Sequence, residues 1–274
     1  MYWNIKTGGI AIIVLSGNAK GGVGKTTVAT NLASALATNK TKLKVCAIDL
    51  DYQSNLTQAL ILKDVKINKC MYHILDGQKP DIESCIYETI HPRLSLIPSA
   101  VQISGLEIPL TQGFPESNLI IRNYLREYLI DNFDFTIIDV GPNINVLLYA
   151  ALTTVDAVFV VTEVGSANSL VNIQTLTDHI ATVKQTQNPD LKHIKIIMNK
   201  LNKSRLVDKK NIKKIYEVFG KNNCFETVIP VSADFREVER LQHSSIFTYK
   251  PGSKGSTAFR CLGREVVNGY LKPK

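Results

Sequence analysis

The sequence predicts an α/β fold: a doubly wound, mostly parallel sheet with helices on both faces. Three observations predict it. Short β-rich apolar runs recur along the chain, most of them are continuous rather than alternating, and amphipathic stretches of helical period separate them. Continuous apolar runs mark strands buried on both faces of a parallel sheet. Strand–helix alternation implies right-handed βαβ units, which wind helices onto both sides of the sheet.

The expected strands lie at 10–15, 43–50, 94–98, 135–140, 157–162 and 194–198. The expected helices lie at 26–37, 117–129, 170–183 and 207–219. No Pro/Gly/Ser-rich linker, low-complexity tract or internal repeat divides the chain, so residues 1–274 read as a single domain.

Composition bounds the function. The 274 residues are 45% hydrophobic and 20% charged, ordinary for a soluble globular protein. No apolar run approaches the ~18 residues needed to cross a bilayer, which argues against an integral membrane segment. The start, Met1-Tyr2-Trp3-Asn4, lacks the basic and long apolar regions of a signal peptide. The expected compartment is the cytoplasm. Cys46, Cys70, Cys85, Cys224 and Cys261 are scattered, with no CxxC pair. They read as reduced, mostly buried thiols rather than a disulfide framework or a zinc site.

The net charge of +8 is unevenly spread. Residues 190–274 hold 18 Lys and Arg against 8 Asp and Glu, whereas residues 1–189 hold 14 against 16. A basic last third is the electrostatic footprint of a partner rich in phosphate, DNA or anionic lipid. A solvated basic face with no partner reads equally well from charge alone.

The first expected strand runs into Ser16-Gly17-Asn18-Ala19-Lys20-Gly21-Gly22-Val23-Gly24-Lys25-Thr26-Thr27 and then into a helix. That is the strand–loop–helix setting of a phosphate-binding loop. Glycines let the backbone turn its N–H groups toward a phosphate chain, and the helix N-terminus adds a positive dipole end. Lys25 reaches the terminal phosphates and the Thr26 hydroxyl suits Mg²⁺. The common pattern GxxxxGK[ST] fails at its first position, where Ala19 stands, and a second lysine, Lys20, follows it.

Two strand ends carry acids. Asp49 and Asp51, at i and i+2, point the same way; beside a phosphate loop they can hold Mg²⁺ and orient an attacking water. Asp139 ends an apolar strand, the arrangement in which a carboxylate meets Mg²⁺ through water.

The stretch Lys20–Thr27 resembles the deviant Walker A motif KGGVGKTT of the ParA/MinD/nitrogenase-iron-protein superfamily of P-loop ATPases. Asp49-Leu50-Asp51-Tyr52-Gln53-Ser54-Asn55 resembles that family's DxDPQxN box, with Tyr52 in place of proline. Phe133-Asp134-Phe135-Thr136-Ile137-Ile138-Asp139-Val140-Gly141-Pro142 resembles YDYIIIDxPP, with Gly141 in place of the first proline. Later stretches, including Val228-Ile229-Pro230 and Tyr249-Lys250-Pro251-Gly252-Ser253-Lys254-Gly255, resemble a small Soj-like ParA protein.

The resemblance implies an ATPase with ATP and Mg²⁺ as cofactors. Gly21, Gly22, Val23, Gly24, Lys25, Thr26 and Thr27 would cradle the nucleotide, and Lys20 would cross a homodimer interface to the partner's nucleotide. Asp51 would position or activate the water, with Thr26, Asp49 and Asp139 at the metal. Asn199 would contact adenine, opposite the Pro230 segment; a plain helix or turn cap is an equal reading of Asn199.

The resemblance further implies that the ATP dimer binds double-stranded DNA without sequence preference. It would be associated with the nucleoid and would drive plasmid or chromosome partition with a centromere-binding partner protein. Arg205, Lys209, Lys213, Arg236, Arg240 and Lys254 are the candidate DNA contacts; Lys209, Lys210, Lys213 and Lys214 have the spacing to share one helix face. Val140 after Asp139 argues against a nitrogenase-like cluster, which needs cysteine there. The alternative is a MinD-like membrane-surface positioning ATPase, for which Phe259, Leu262, Val266, Val267 and Tyr270 form an apolar helical stripe. Core packing is the favoured reading of that stripe. A small-molecule kinase or ligase of the same fold would need neither Lys20 nor the basic last third.

Overall fold

A computed structural model describes residues 11–39 and 42–271. Ile10, the first residue of the first expected strand, and the Met1–Asn4 start lie outside the described residues. In chain order the elements are β1 (Ile12–Gly17), α1 (Lys25–Ala37), β2 (Val45–Asp49), α2 (Asn55–Leu60), α3 (Met71–Leu75), β3 (Tyr87–Glu88), β4 (Leu94–Ile97), α4 (Glu107–Gln112), α5 (Ile120–Asn132), β5 (Phe135–Asp139), α6 (Val146–Thr154), β6 (Ala157–Glu163), α7 (Ser169–Thr186), β7 (His193–Asn199), α8 (Leu206–Phe219), α9 (Ala233–Arg240), α10 (Ile246–Tyr249) and α11 (Lys254–Val266).

The strands form one sheet in the order β3-β4-β2-β5-β1-β6-β7. Every pairing is parallel except β3 with β4. All six expected strands are present within a residue or two of their ends. The short edge strand β3 was not expected. Strands β1, β2 and β5 are buried along their whole length, which is why their sequences are continuous rather than alternating. Ile13, Leu15, Ile48 and Ile138 pack on one face of the sheet and Val14, Ala47, Phe135 and Ile137 on the other.

This topology sets the site. β1 lies between β5 and β6, and β5 between β1 and β2, so the carboxyl ends of β1, β2 and β5 are neighbours. Ser16 is level with Asp139, and Asp139 with Asp49. Crevices at the carboxyl ends of strands are where open α/β sheets bind ligands.

The apolar stripe at the carboxyl end belongs to the core. Phe259, Leu262 and Val266 are fully buried, Val267 is buried and Tyr270 half-buried. Gly263 of α11 faces Ala35 and Leu36 of α1. Among the described residues no helix is long and apolar enough to cross a membrane. All five cysteines are free, four of them buried.

Candidate nucleotide site

The loop after β1 is held from several sides. Gly22 and Gly24 take positive φ values of 74° and 92°, a region that side chains with a Cβ rarely enter. A second demand falls on Gly24: a Cβ there would stand 2.4 Å from Asn199 Nδ2. Asn199, at the end of β7, donates that amide to the Val23 carbonyl at 2.8 Å. The next residue, Lys200, donates its ammonium to the Gly22 carbonyl at 2.5 Å and faces Glu163 at 3.7 Å. Asn18 braces the other side, donating to the Val161 carbonyl at 2.6 Å and accepting from the Lys20 N–H at 2.8 Å.

Lys25 opens α1 and is nearly buried; its ammonium donates to the Lys20 carbonyl at 3.2 Å. Burial lowers its pKa, while the negative charges of Asp139 and Asp51 pull it back up. A lysine short of hydrogen-bond acceptors beside acids is poised for phosphate oxygens. Thr26 donates its hydroxyl to Asp139 Oδ2 at 2.6 Å.

Asp139 is fully buried, and its Oδ1 has no hydrogen-bond partner among the described residues. Burial, then the neighbouring Asp49, pushes its pKa well above the carboxylate range. A buried oxygen without a donor carries a desolvation penalty that a cation relieves. Mg²⁺ usually takes one or two carboxylates together with waters and substrate phosphates. Thr26 and Asp139 therefore fit a magnesium ion.

Asp49, expected near the metal, stands beside Asp139, and both of its oxygens accept from the protein. Its Oδ1 accepts from the Asp51 N–H at 3.0 Å, and its Oδ2 accepts both the Thr57 N–H and the Thr57 hydroxyl at 2.8 Å. With both oxygens engaged by protein donors and the side chain fully buried, Asp49 organises the loop that carries Asp51. Burial pushes its pKa up to about 7. Asp51 lies at the cleft wall, its Oδ1 accepting from the Gln53 N–H at 3.0 Å. A Cβ at position 141 would stand 3.5 Å from the Asp51 carboxyl carbon, so glycine there leaves the acid a clear flank.

These groups open onto a cleft of about 750 Å³, lined by Lys25, Thr26, Asp51, Asn199 and Pro230 among others. Pro230 pairs by a backbone bridge with Leu201, two residues after Asn199. The Asn199 amide itself braces the loop. Lys20 is not part of the cleft wall; its ammonium turns to Ser166 Oγ at 2.9 Å.

The six candidate DNA residues are all exposed, but they are spread over four places. Arg205, just before α8, and Arg236, on α9, line the nucleotide cleft. Lys209 and Lys213 stand on α8, with Lys213 3.7 Å from Glu217. Arg240 is 3.4 Å from Glu237, and Lys254 opens α11. Sequence reasoning missed Lys200 and Glu239 as parts of the site; both lie far in sequence from what they touch, and no local pattern marks them.

A glycine-bent loop leading into a helix, a buried lysine at its end and a threonine–aspartate pair across two strand ends define a P-loop nucleoside triphosphatase. A family described as an AAA domain matches residues 10–193. The chain is 30% identical over 259 residues to the chromosome partitioning protein ParA of Myxococcus xanthus, covering 93% of this chain and 87% of that protein. It is 29% identical over 256 residues to the sporulation initiation inhibitor protein Soj of Bacillus subtilis, covering 93% and 98%. It therefore belongs to the ParA/MinD family of P-loop ATPases. Cobyrinic acid a,c-diamide synthase of Mycobacterium smegmatis, solved with a bound ATP analogue and magnesium, has the same fold. It aligns with a TM-score of 0.77 at 21% identity, over 94% of this chain and 95% of that one.

Proposed function

We propose that the chain is a Mg²⁺-ATP-driven dimer switch for plasmid or chromosome partition. The ATP-bound dimer binds double-stranded DNA without sequence preference, and a centromere-binding partner protein promotes hydrolysis and release. The observation that carries this reading is the division of labour between the two loop lysines. Lys25 faces the cleft of its own subunit. Lys20 points out of that cleft, its ammonium donating to the Ser166 hydroxyl, a contact it can exchange for a second subunit's nucleotide. The name of the Myxococcus xanthus relative, chromosome partitioning protein ParA, supports partition as the process.

In this reading Lys25 and the loop N–H groups bind the phosphates, and Thr26 and Asp139 hold Mg²⁺. The metal neutralises charge on the phosphates when bound. Asp51, held by the Gln53 N–H, orients the attacking water. DNA phosphates meet Lys209, Lys213, Arg240 and Lys254, with Arg205 and Arg236 at the cleft mouth. The reading locates the ATP dimer on the nucleoid.

Binding to two unrelated duplexes, followed by fluorescence anisotropy with ATP and with ADP across a salt series, tests it. If the dimer neutralises about six phosphates, the log–log slope with salt is roughly −5. Binding indifferent to nucleotide, flat with salt, or confined to one duplex contradicts it.

A further inference from the structure

Helix α9 and the strap of residues 241–245 run along the rim of the nucleotide cleft. The first half of α9 is anchored. Its Ser232 cap accepts from the Asp234 N–H, and Asp234 pairs with Lys250 at 2.8 Å. Phe235 meets Phe259 edge-on at 5.7 Å and lies so close to Gly255 that a Cβ there would stand 2.6 Å from its ring. The second half is held across the cleft. Glu239 Oε1 accepts from the Thr27 hydroxyl at 2.6 Å. Beyond it, the His243 N–H donates to the Gln58 carbonyl of α2 at 2.8 Å, and the Ile246 N–H to Asn31 of α1 at 2.8 Å.

Thr27 stands in the first turn of α1, where free N–H groups and the helix dipole favour an anion. Glu239 lines the cleft and brings a carboxylate to that place. A threonine hydroxyl has a single proton to donate. It serves the Glu239 carboxylate or a phosphate oxygen, not both. A phosphate chain seated in the loop also meets the Glu239 charge at short range, and two anions at one helix end repel.

We propose that Glu239 is a built-in competitor for the nucleotide's phosphate chain, an affinity-setting residue that must release Thr27 before a nucleoside di- or triphosphate seats fully. Release removes the bond from α9 to Thr27, while Phe235 holds the first half of the helix and the His243 and Ile246 bonds hold the strap. Arg236 lies three residues earlier on the same helix and also lines the cleft, so seating of the phosphates changes the surroundings of a cation at the rim. The proposal rests on the reading of this cleft as the nucleotide site.

Calorimetric titration with Mg²⁺-ADP tests it on three variants of the full chain. Glu239→Ala is expected to tighten ADP binding by about tenfold. Glu239→Gln, which keeps an acceptor for Thr27 but loses the charge, tightens it by less. Glu237→Ala removes the same charge from the same helix outside the cleft and leaves affinity unchanged. Unchanged or weaker binding by Glu239→Ala, or equal tightening by Glu237→Ala, overturns the proposal. Failure of the unaltered protein to bind ADP overturns the nucleotide-site reading beneath it instead.

Discussion

Gly24→Ala tests whether the phosphate loop is locked by Asn199. Two costs follow from the structure. A residue with a Cβ at φ 92° loses about 1–2 kcal/mol to backbone strain. The new methyl would also stand 2.4 Å from Asn199 Nδ2, closer than any real contact, so the amide must leave the Val23 carbonyl. Losing that bond in a buried setting costs about 1–3 kcal/mol. Together these reach about 2–5 kcal/mol, against a total stability of about 5–15 kcal/mol for a typical domain. Asn199→Ala alone should cost the second part. In the double variant the clash is gone, so Gly24→Ala adds only the backbone part. Urea unfolding followed by circular dichroism should show lower midpoints at unchanged slope, and a double variant less destabilised than the sum of the singles by about 1–3 kcal/mol. Additivity within about 0.5 kcal/mol would show that the two residues do not meet, and the steric argument would fail.

Other expectations can be checked separately. Burial pushes His91 down to about 4 from an ordinary 6.5; between those values the unfolded chain binds more protons, so stability is lost as pH falls from 6.5 toward 4, by up to about 3 kcal/mol. His91→Gln, which can still reach Ser245, should flatten that slope in urea midpoints measured across the window. Lys25→Ala should abolish ATP binding in a calorimetric titration, whereas Asp51→Ala should keep binding and lower phosphate release by about a hundredfold or more. Arg236→Ala should make the salt slope of DNA binding shallower by about two units per dimer without creating sequence preference.

Much of the fold was legible because the central strands are buried on both faces. Residues 12–17, 45–49 and 135–139 carry no polar alternation to confuse with helix. The phosphate loop was legible because its chemistry is local: glycines at positive φ, a lysine and a threonine within a few residues. Strand β3 escaped notice because two residues, Tyr87 and Glu88, carry no period at all. The bonds that hold Asp49 were not legible because its partners are a hydroxyl eight residues on and backbone N–H groups, none of which a paired-acid pattern reveals. Asn199 was read as an adenine contact or a cap, and its bond to Val23 spans 176 residues. The Thr27–Glu239 bond spans 212. Such pairs are made by the tertiary fold, and only the folded chain brings them together. The basic last third was visible as charge, but charge counts do not tell that Arg205 and Arg236 face the cleft.

The central claim is a nucleotide-driven dimer in which Lys20 acts across subunits. Light scattering with Mg²⁺-ATP on Asp51→Ala, in which turnover is slowed, tests it most directly against the Lys20→Ala/Asp51→Ala double variant. The account predicts twice the monomer mass for the first and monomer mass for the second, with ATP still bound by both. A double variant that dimerises normally with ATP would contradict it.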